Sequence, residues 1–268
     1  MFHKKYKVHI VEILCLVLLA SAGIILIGLQ MKLIGWLILI IGLVNLFYCR
    51  KKFAREVLLI YISLILLAIT QITTDISYVH MFEMGTTLIL AVSIPYFASR
   101  YIYKDRLVRF IFHHGRKWYR KEVLYVSITA IISYFLIPFY LKNTGAYLNW
   151  SVEPGFDNIL RLFIGTNALG IWDELFFVST VLGILRRFLP FSWANLIQSI
   201  LFTAFLYELG FTGWGFIMIF VFALIQGIVF KKTESLLYVI TIHLTLDFIL
   251  FLALIEAHHP DWMPIFMT

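Results

Sequence analysis

Charge is scarce in this chain. Asp, Glu, Lys and Arg make up 14% of its 268 residues, where soluble domains carry about 25%. The longest polar stretch runs only from Arg100 to Glu122. That leaves no room for a soluble globular domain. The 62% hydrophobic content and a mean hydropathy of +0.92 mark an integral membrane protein instead. Cysteine is nearly missing. Cys15 and Cys49 lie in or at the end of apolar runs, which excludes a disulfide framework and a thiolate metal site. Both read as packing residues, and they say nothing about redox compartment. Internal repeats and low-complexity tracts are also lacking. The net charge of +7 carries no sign of nucleic-acid binding, because its distribution has a simpler cause.

What is there is a series of apolar runs near 20 residues, each enough to cross a hydrocarbon layer of roughly 30 Å as a helix. Lipid offers the backbone no hydrogen-bond partners, so the spans are helices. The fold class expected is an all-α polytopic helix bundle of about nine transmembrane helices, at 8–29, 31–49, 56–73, 83–103, 121–141, 158–184, 191–208, 211–230 and 235–256. The first run is longer than a signal-peptide core and reads as an uncleaved anchor. With the N-terminus inside, all of the 22 basic residues except Lys32, Lys142 and Arg161 fall on inner segments. By the positive-inside rule this gives an N-terminus in and a C-terminus out. The basic loops suit anionic lipid headgroups, so membrane lipids are expected partners and nucleic acid is not. His113-His114 read as part of a solvated basic loop rather than as a metal pair. Two portions follow: four N-terminal helices with a basic cytoplasmic loop over 1–120, and a core over 121–268.

Ionisable residues well inside apolar runs are few: Glu12, Asp173, Glu174, Glu208 and Asp247, with His243 and, near a span end, His9. Such groups face a protein interior or a water-filled cavity. Glu12, close to Lys7 and His9, is expected to reach the inner interface. Asp173 and Glu174 are adjacent in the sixth span, and two carboxyls in a low-dielectric setting repel. His243 and Asp247 are four apart and share a helix face, so the carboxylate can orient the imidazole, or both can point at one water or carbonyl oxygen. Acids on one segment and a His/Asp pair on another are the ingredients of acid–base chemistry. They also suit glue between membrane helices. In the seventh span Gln198, Phe202 and Leu206 share a face, and Glu208 sits near the outer end before Gly210.

These residues resemble the motifs of the CPBP or Abi intramembrane proteases, the family of CAAX-prenyl proteases and bacteriocin-processing proteins. That family carries two acids followed by an Arg, then Phe-x-x-x-His, then His-x-x-x-Asn or His-x-x-x-Asp. Asp173-Glu174-Leu175-Phe176-Phe177 is similar to the first motif, Phe202 to the start of the second, and His243-x-x-x-Asp247 to the third. The likeness covers about 121–256. Three positions depart from the pattern: Asp173 stands for the first Glu, Val178 for the Arg and Leu206 for the second-motif His.

The resemblance implies an intramembrane endopeptidase of the bacterial inner (plasma) membrane that acts on a peptide or membrane-protein substrate, with prenylated peptides a family theme. It implies Asp173 as the water-activating base with Glu174 beside it, and His243 and Asp247 as the oxyanion or water-positioning pair. Glu208 joins the candidates, although it lies about 200° around an ideal helix from Leu206 and needs an unwound helix near Gly210 to take the missing imidazole's place. No cofactor is expected. A divalent metal such as Zn2+ is the alternative, with one His plus carboxylates a thin set for zinc. Two other functions fit the same residues. One is a catalytically inactive relative that binds a peptide or confers bacteriocin immunity. The other is a transporter or proton relay.

Overall fold

The computed structural model describes residues 7–105, 107–112 and 117–267. His113-His114 lie outside the described residues. Among the described residues all regular structure is helical. Nine helices form: α1 (Ile10–Gly28), α2 (Lys32–Leu46), α3 (Lys51–Ile69), α4 (Tyr78–Ile102), α5 (Arg120–Thr144), α6 (Phe156–Leu185), α7 (Phe191–Glu208), α8 (Gly215–Thr233) and α9 (Leu236–His258). Each falls on one expected span. Local chemistry sets several boundaries. Ser77 and Ser235 cap α4 and α9 by accepting from the N–H groups of His80 and Tyr238, a role short hydroxyl side chains fill well. Gly145 ends α5 at a φ of 70°, a left-handed conformation that glycine takes without strain.

Six helices are long and apolar enough to cross a membrane: α1, α4, α5, α6, α8 and α9. The other three have physical reasons to fall short. With 15 residues, α2 spans about 22 Å at a 1.5 Å rise per residue. The first turns of α3 hold Lys52, Arg55 and Glu56, and α7 is diluted by Asn195, Gln198 and Glu208.

Helix ends meet in two groups. At one end Arg50 on the α2–α3 turn pairs with Glu12 at 2.7 Å. Arg187, just past α6, meets Glu56 at 3.2 Å and Asp105 at 3.3 Å, and the N–H of Leu236 donates to the Ile111 carbonyl at 2.8 Å. At the other end the Thr74 hydroxyl donates to the Asn149 carbonyl, Asn149 donates to Gly210 at 3.3 Å, and His259 bonds the Val152 carbonyl at 2.8 Å. Successive helices therefore run antiparallel, and the first group of ends carries most of the basic residues. Glu12 differs from its expected place. It does not reach the interface but is fully enclosed, held by Arg50 and by the His9 N–H.

The best-enclosed of the six is α6, whose second half, from Trp172 to Leu185, is almost wholly buried, as a helix packed on all sides is. Trp172, Phe176, Phe177, Phe202 and Phe205 interlock around it, with ring centroids 4.8–5.9 Å apart. Over Glu174–Val181 it widens into π-helical turns, a departure often found at functional sites.

Candidate active site

The residues that the sequence singles out on two separate helices come together. The His243 ring of α9 lies against the start of the π-helical stretch in α6. Its Nδ1 is 2.8 Å from Glu174 Oε1, and its Nε2 is 3.8 Å from Asp173 Oδ2 and 3.7 Å from Asp247 Oδ1. Consecutive residues on a helix point about 100° apart. Asp173 and Glu174 still both reach the ring because they address opposite edges of it. Phe222 packs edge-on at 5.1 Å and Phe202 at 5.8 Å, which leaves the imidazole little freedom to turn. The four polar residues are 0–8% exposed.

A fifth residue completes the arrangement. Gln226 of α8 donates from Nε2 to Glu174 Oε1 at 2.8 Å and to the Val239 carbonyl at 3.1 Å. An oxygen that already accepts from an amide is an acceptor toward the imidazole as well. Nδ1 is therefore the protonated nitrogen in that contact, and Nε2 is turned toward the two aspartates. The gaps of 3.7 and 3.8 Å are too long for direct hydrogen bonds and match a bridge through one water. Asp173 Oδ1, Glu174 Oε2 and Asp247 Oδ2 are buried with no hydrogen-bond partner in the protein. Buried carboxyl oxygens without protein partners are costly.

Asp173, His243 and Asp247 line a cavity of about 640 Å³ whose walls come from α4 to α9, within the roughly 300–1,000 Å³ usual for ligand sites. Gly170 on α6 lets α9 approach, since a Cβ there would overlap the Asp247 carboxyl.

Two sequence expectations change, and one residue is new. Glu208 does not join the cluster. The seventh helix stays regular to its end, so Leu206 faces the cavity while the Glu208 side chain turns to Gln30 and the charge of Lys32. Glu174, expected only beside Asp173, also meets the histidine at Nδ1. Gln226 was not singled out at all, although a lone amide inside the apolar run Phe222–Val229 is the signal that identifies it. At the two departures from the family pattern, Val178 is buried in the core and Leu206 lines the cavity.

Among the described residues no group of three or more His, Cys, Asp or Glu side chains is arranged to hold a metal ion. The donors at the cluster are one free imidazole nitrogen and carboxylates, with no thiolate. This set does not fit the closed nitrogen and sulfur shells that zinc favours.

The family model described as Rce1-like, type II CAAX prenyl endopeptidase Rce1-like, matches residues 155–249. That stretch runs from the start of α6 into α9 and holds all five residues of the cluster. No curated protein and no solved structure matches the chain. The motifs, the apolar helices and the matched stretch agree: this is an integral membrane protein whose residues 155–249 match the Rce1-like family model, in line with the CPBP and Abi family that its sequence resembles.

Proposed function

We propose that the chain is an intramembrane endopeptidase that hydrolyses a peptide bond in a membrane-associated polypeptide, with Asp173, Glu174, His243 and Asp247 as its catalytic set. The observation that carries this reading is the His243 ring held between Glu174 at Nδ1 and two aspartates at Nε2. A water in the gap between Asp173 and Nε2 gives a proton to the Asp173 carboxylate as its oxygen attacks the scissile carbonyl. In its imidazolium form His243 donates from both nitrogens, to Glu174 and into the cavity. The cavity-side N–H stabilises the oxyanion of the tetrahedral intermediate, and Asp247 supplies the counter-charge. Collapse of the intermediate returns the proton from Asp173 to the leaving amine, the reverse use of the same group. Glu174 and Gln226 fix the ring in place, which matters because a displacement near 1 Å can cost about 100-fold in rate. No step uses a metal.

Nine crossings, with the N-terminus inside and the C-terminus out, is our reading of the topology. The alternating helix ends and the basic inner segments support it. A reporter fused after Thr268 and reached from the cytoplasmic side contradicts it.

The experiment is a comparison of peptide N-termini. Membranes holding the wild-type protein are incubated beside membranes holding His243→Asn at equal abundance. New N-termini present with wild type and missing with the variant support hydrolysis; identical sets sink it. Val178 and Leu206 favour one other reading, a relative that binds a membrane peptide without cutting it. That reading gains if His243→Asn leaves the cellular phenotype intact.

A further inference from the structure

The cavity's lining stops short of the segment 107–112 at the basic end of the bundle, takes in Tyr125 and Thr129 along α5, and runs on to the α3–α4 connection at the other end. On the basic side the segment 107–112 crosses the ends of α6 and α9. The N–H groups of Leu236 and Leu237 donate to the carbonyls of Ile111 and Phe112 at 2.8 and 3.0 Å. The Ser179 hydroxyl donates to the Arg109 carbonyl at 2.9 Å, and the Ser235 hydroxyl to Phe112 at 3.2 Å. The Phe110 side chain and Leu175 then pack on the buried Leu236, Val239 and Ile240. This apolar layer lies between the cluster and the basic surface, and none of the described residues of 107–112 lines the cavity.

In the opposite direction the walls continue past Leu162, Trp150 and Phe211 to Thr73, Thr74 and Asp75. These last three lie in the α3–α4 connection, and Asp75 is exposed. The connection is tied in place. Arg161 donates to the Ile76 carbonyl, and Thr74 to Asn149. His80, nearly buried, lines the cavity with Nε2 3.0 Å from the Thr73 hydroxyl. The first half of α4 forms one wall through Met84 and Leu88, and Trp172, next to Asp173, donates to the Leu88 carbonyl at 2.7 Å. Residues 70–88 lie outside the stretch that the family model matches, yet they frame the cavity.

We propose that substrate reaches Asp173, His243 and Asp247 from the end of the bundle opposite the basic belt, through a mouth formed by residues 70–88. The occupant is an extended segment of a membrane-anchored polypeptide. Leu, Ile, Met and Phe side chains along the walls take its apolar residues. Thr73, Thr74 and His80 offer hydrogen bonds to its backbone where it leaves the bilayer. The chemistry at the far end of the route rests on the endopeptidase reading; the route itself does not.

Thiol labelling tests this with a charged, membrane-impermeant methanethiosulfonate, added to right-side-out or inside-out vesicles. Thr74→Cys reports the mouth and Leu237→Cys the basic end. Leu206→Cys reports the cavity wall, and Met84→Cys replaces it if it fails to fold. Protein with Cys49→Ser, in which the remaining native Cys15 is buried, sets the background and carries each cysteine, since Cys49 is half-buried by the basic-end turn. The cavity cysteine is expected to react from the same side as Thr74→Cys. Adding Gly85→Trp should abolish that reaction and spare Thr74→Cys, because a side chain at Gly85 meets open space and grows into the cavity. Reaction from the Leu237→Cys side overturns the proposal, as does no reaction from either side while Thr74→Cys reacts. Expected labelling in a protein that cleaves nothing keeps the route and removes the protease reading. Cleavage with labelling from the basic side does the reverse.

Discussion

Two glycines of α6 make a matched test of how tightly the cluster is packed. Gly183 has nothing within 4 Å of a built Cβ, whereas at Gly170 the same atom would overlap the Asp247 carboxyl and come within 3.1 Å of the His243 ring. Ala gains about 1 kcal/mol over Gly inside a helix, so Gly183→Ala should stabilise slightly. Gly170→Ala has the same gain offset by overpacking, which costs about 1–3 kcal/mol. At roughly 2–4 °C per kcal/mol for chains of this size, Gly170→Ala should melt several degrees below Gly183→Ala in detergent, followed by intrinsic tryptophan fluorescence. If Asp247 rotates away instead, the stability cost falls to the low end, but the carboxyl leaves its place 3.7 Å from Nε2. Asp247→Ala in the same chain removes the atoms that are struck, so the double variant should recover most of the loss. Contacting sites commonly couple by about 0.5–3 kcal/mol. Equal melting of the two glycine variants, or strict additivity of Gly170→Ala and Asp247→Ala, refutes the close approach of α6 and α9.

Gln226→Leu keeps the side chain's bulk but removes the donor to Glu174, and a buried acceptor left short costs about 1–3 kcal/mol. Turnover should fall with KM little changed, because the ring is misheld while the cavity is intact; steady-state kinetics separate the two. Arg187→Ala leaves the enclosed Glu56 with Arg55 at 3.7 Å and the charge of Lys52. Breaking a buried pair costs about 3–5 kcal/mol, and the partly exposed arginine brings this down to about 1–3. A thermal melt should show that loss, and Glu56→Gln in the same chain should restore most of it. At the mouth, the Ser77 N–H and hydroxyl hold the Asp75 carboxyl below its usual range. The cap contributes fully above the unfolded-chain carboxyl pKa and is lost as pH falls through the lowered folded value. Labelling of Thr74→Cys, normalised to its thiolate fraction, which falls about tenfold per pH unit, should therefore quicken in acid, and Asp75→Asn should remove that excess.

The number of helices and the candidate residues on α6 and α9 were legible because lipid enforces them. Apolar runs of set length must be helices, and acids or a histidine within them must find an interior. Asp173, Glu174, His243 and Asp247 stand out for that reason. What could not be read depends on tertiary contacts. The roles of the two acids hinge on which edge of one imidazole each reaches, and the π-helical turns after Asp173 have no simple sequence signal. Glu208, near the outer end of its span, is an acid in an apolar run just as Asp173 is, though less deeply placed. Only the unbroken geometry of α7, with Leu206 toward the cavity, turns it to Gln30. Glu12 shows the same limit, since its partner Arg50 comes from a separate turn. Gln226 was legible in principle, as an uncharged amide in an apolar helix, and is passed over when only ionisable groups are counted.

The central claim is that four side chains on α6 and α9 act as one hydrolytic unit. The most direct measurement is release of a fragment from one membrane substrate by purified wild type, Asp173→Asn, Glu174→Gln, His243→Asn, Asp247→Asn and Glu208→Gln. The account predicts that the first four variants each lose nearly all activity and that pairs lose little more, as residues acting together do, while Glu208→Gln cleaves as wild type does. Undiminished cleavage by His243→Asn, or loss with Glu208→Gln alone, would contradict it.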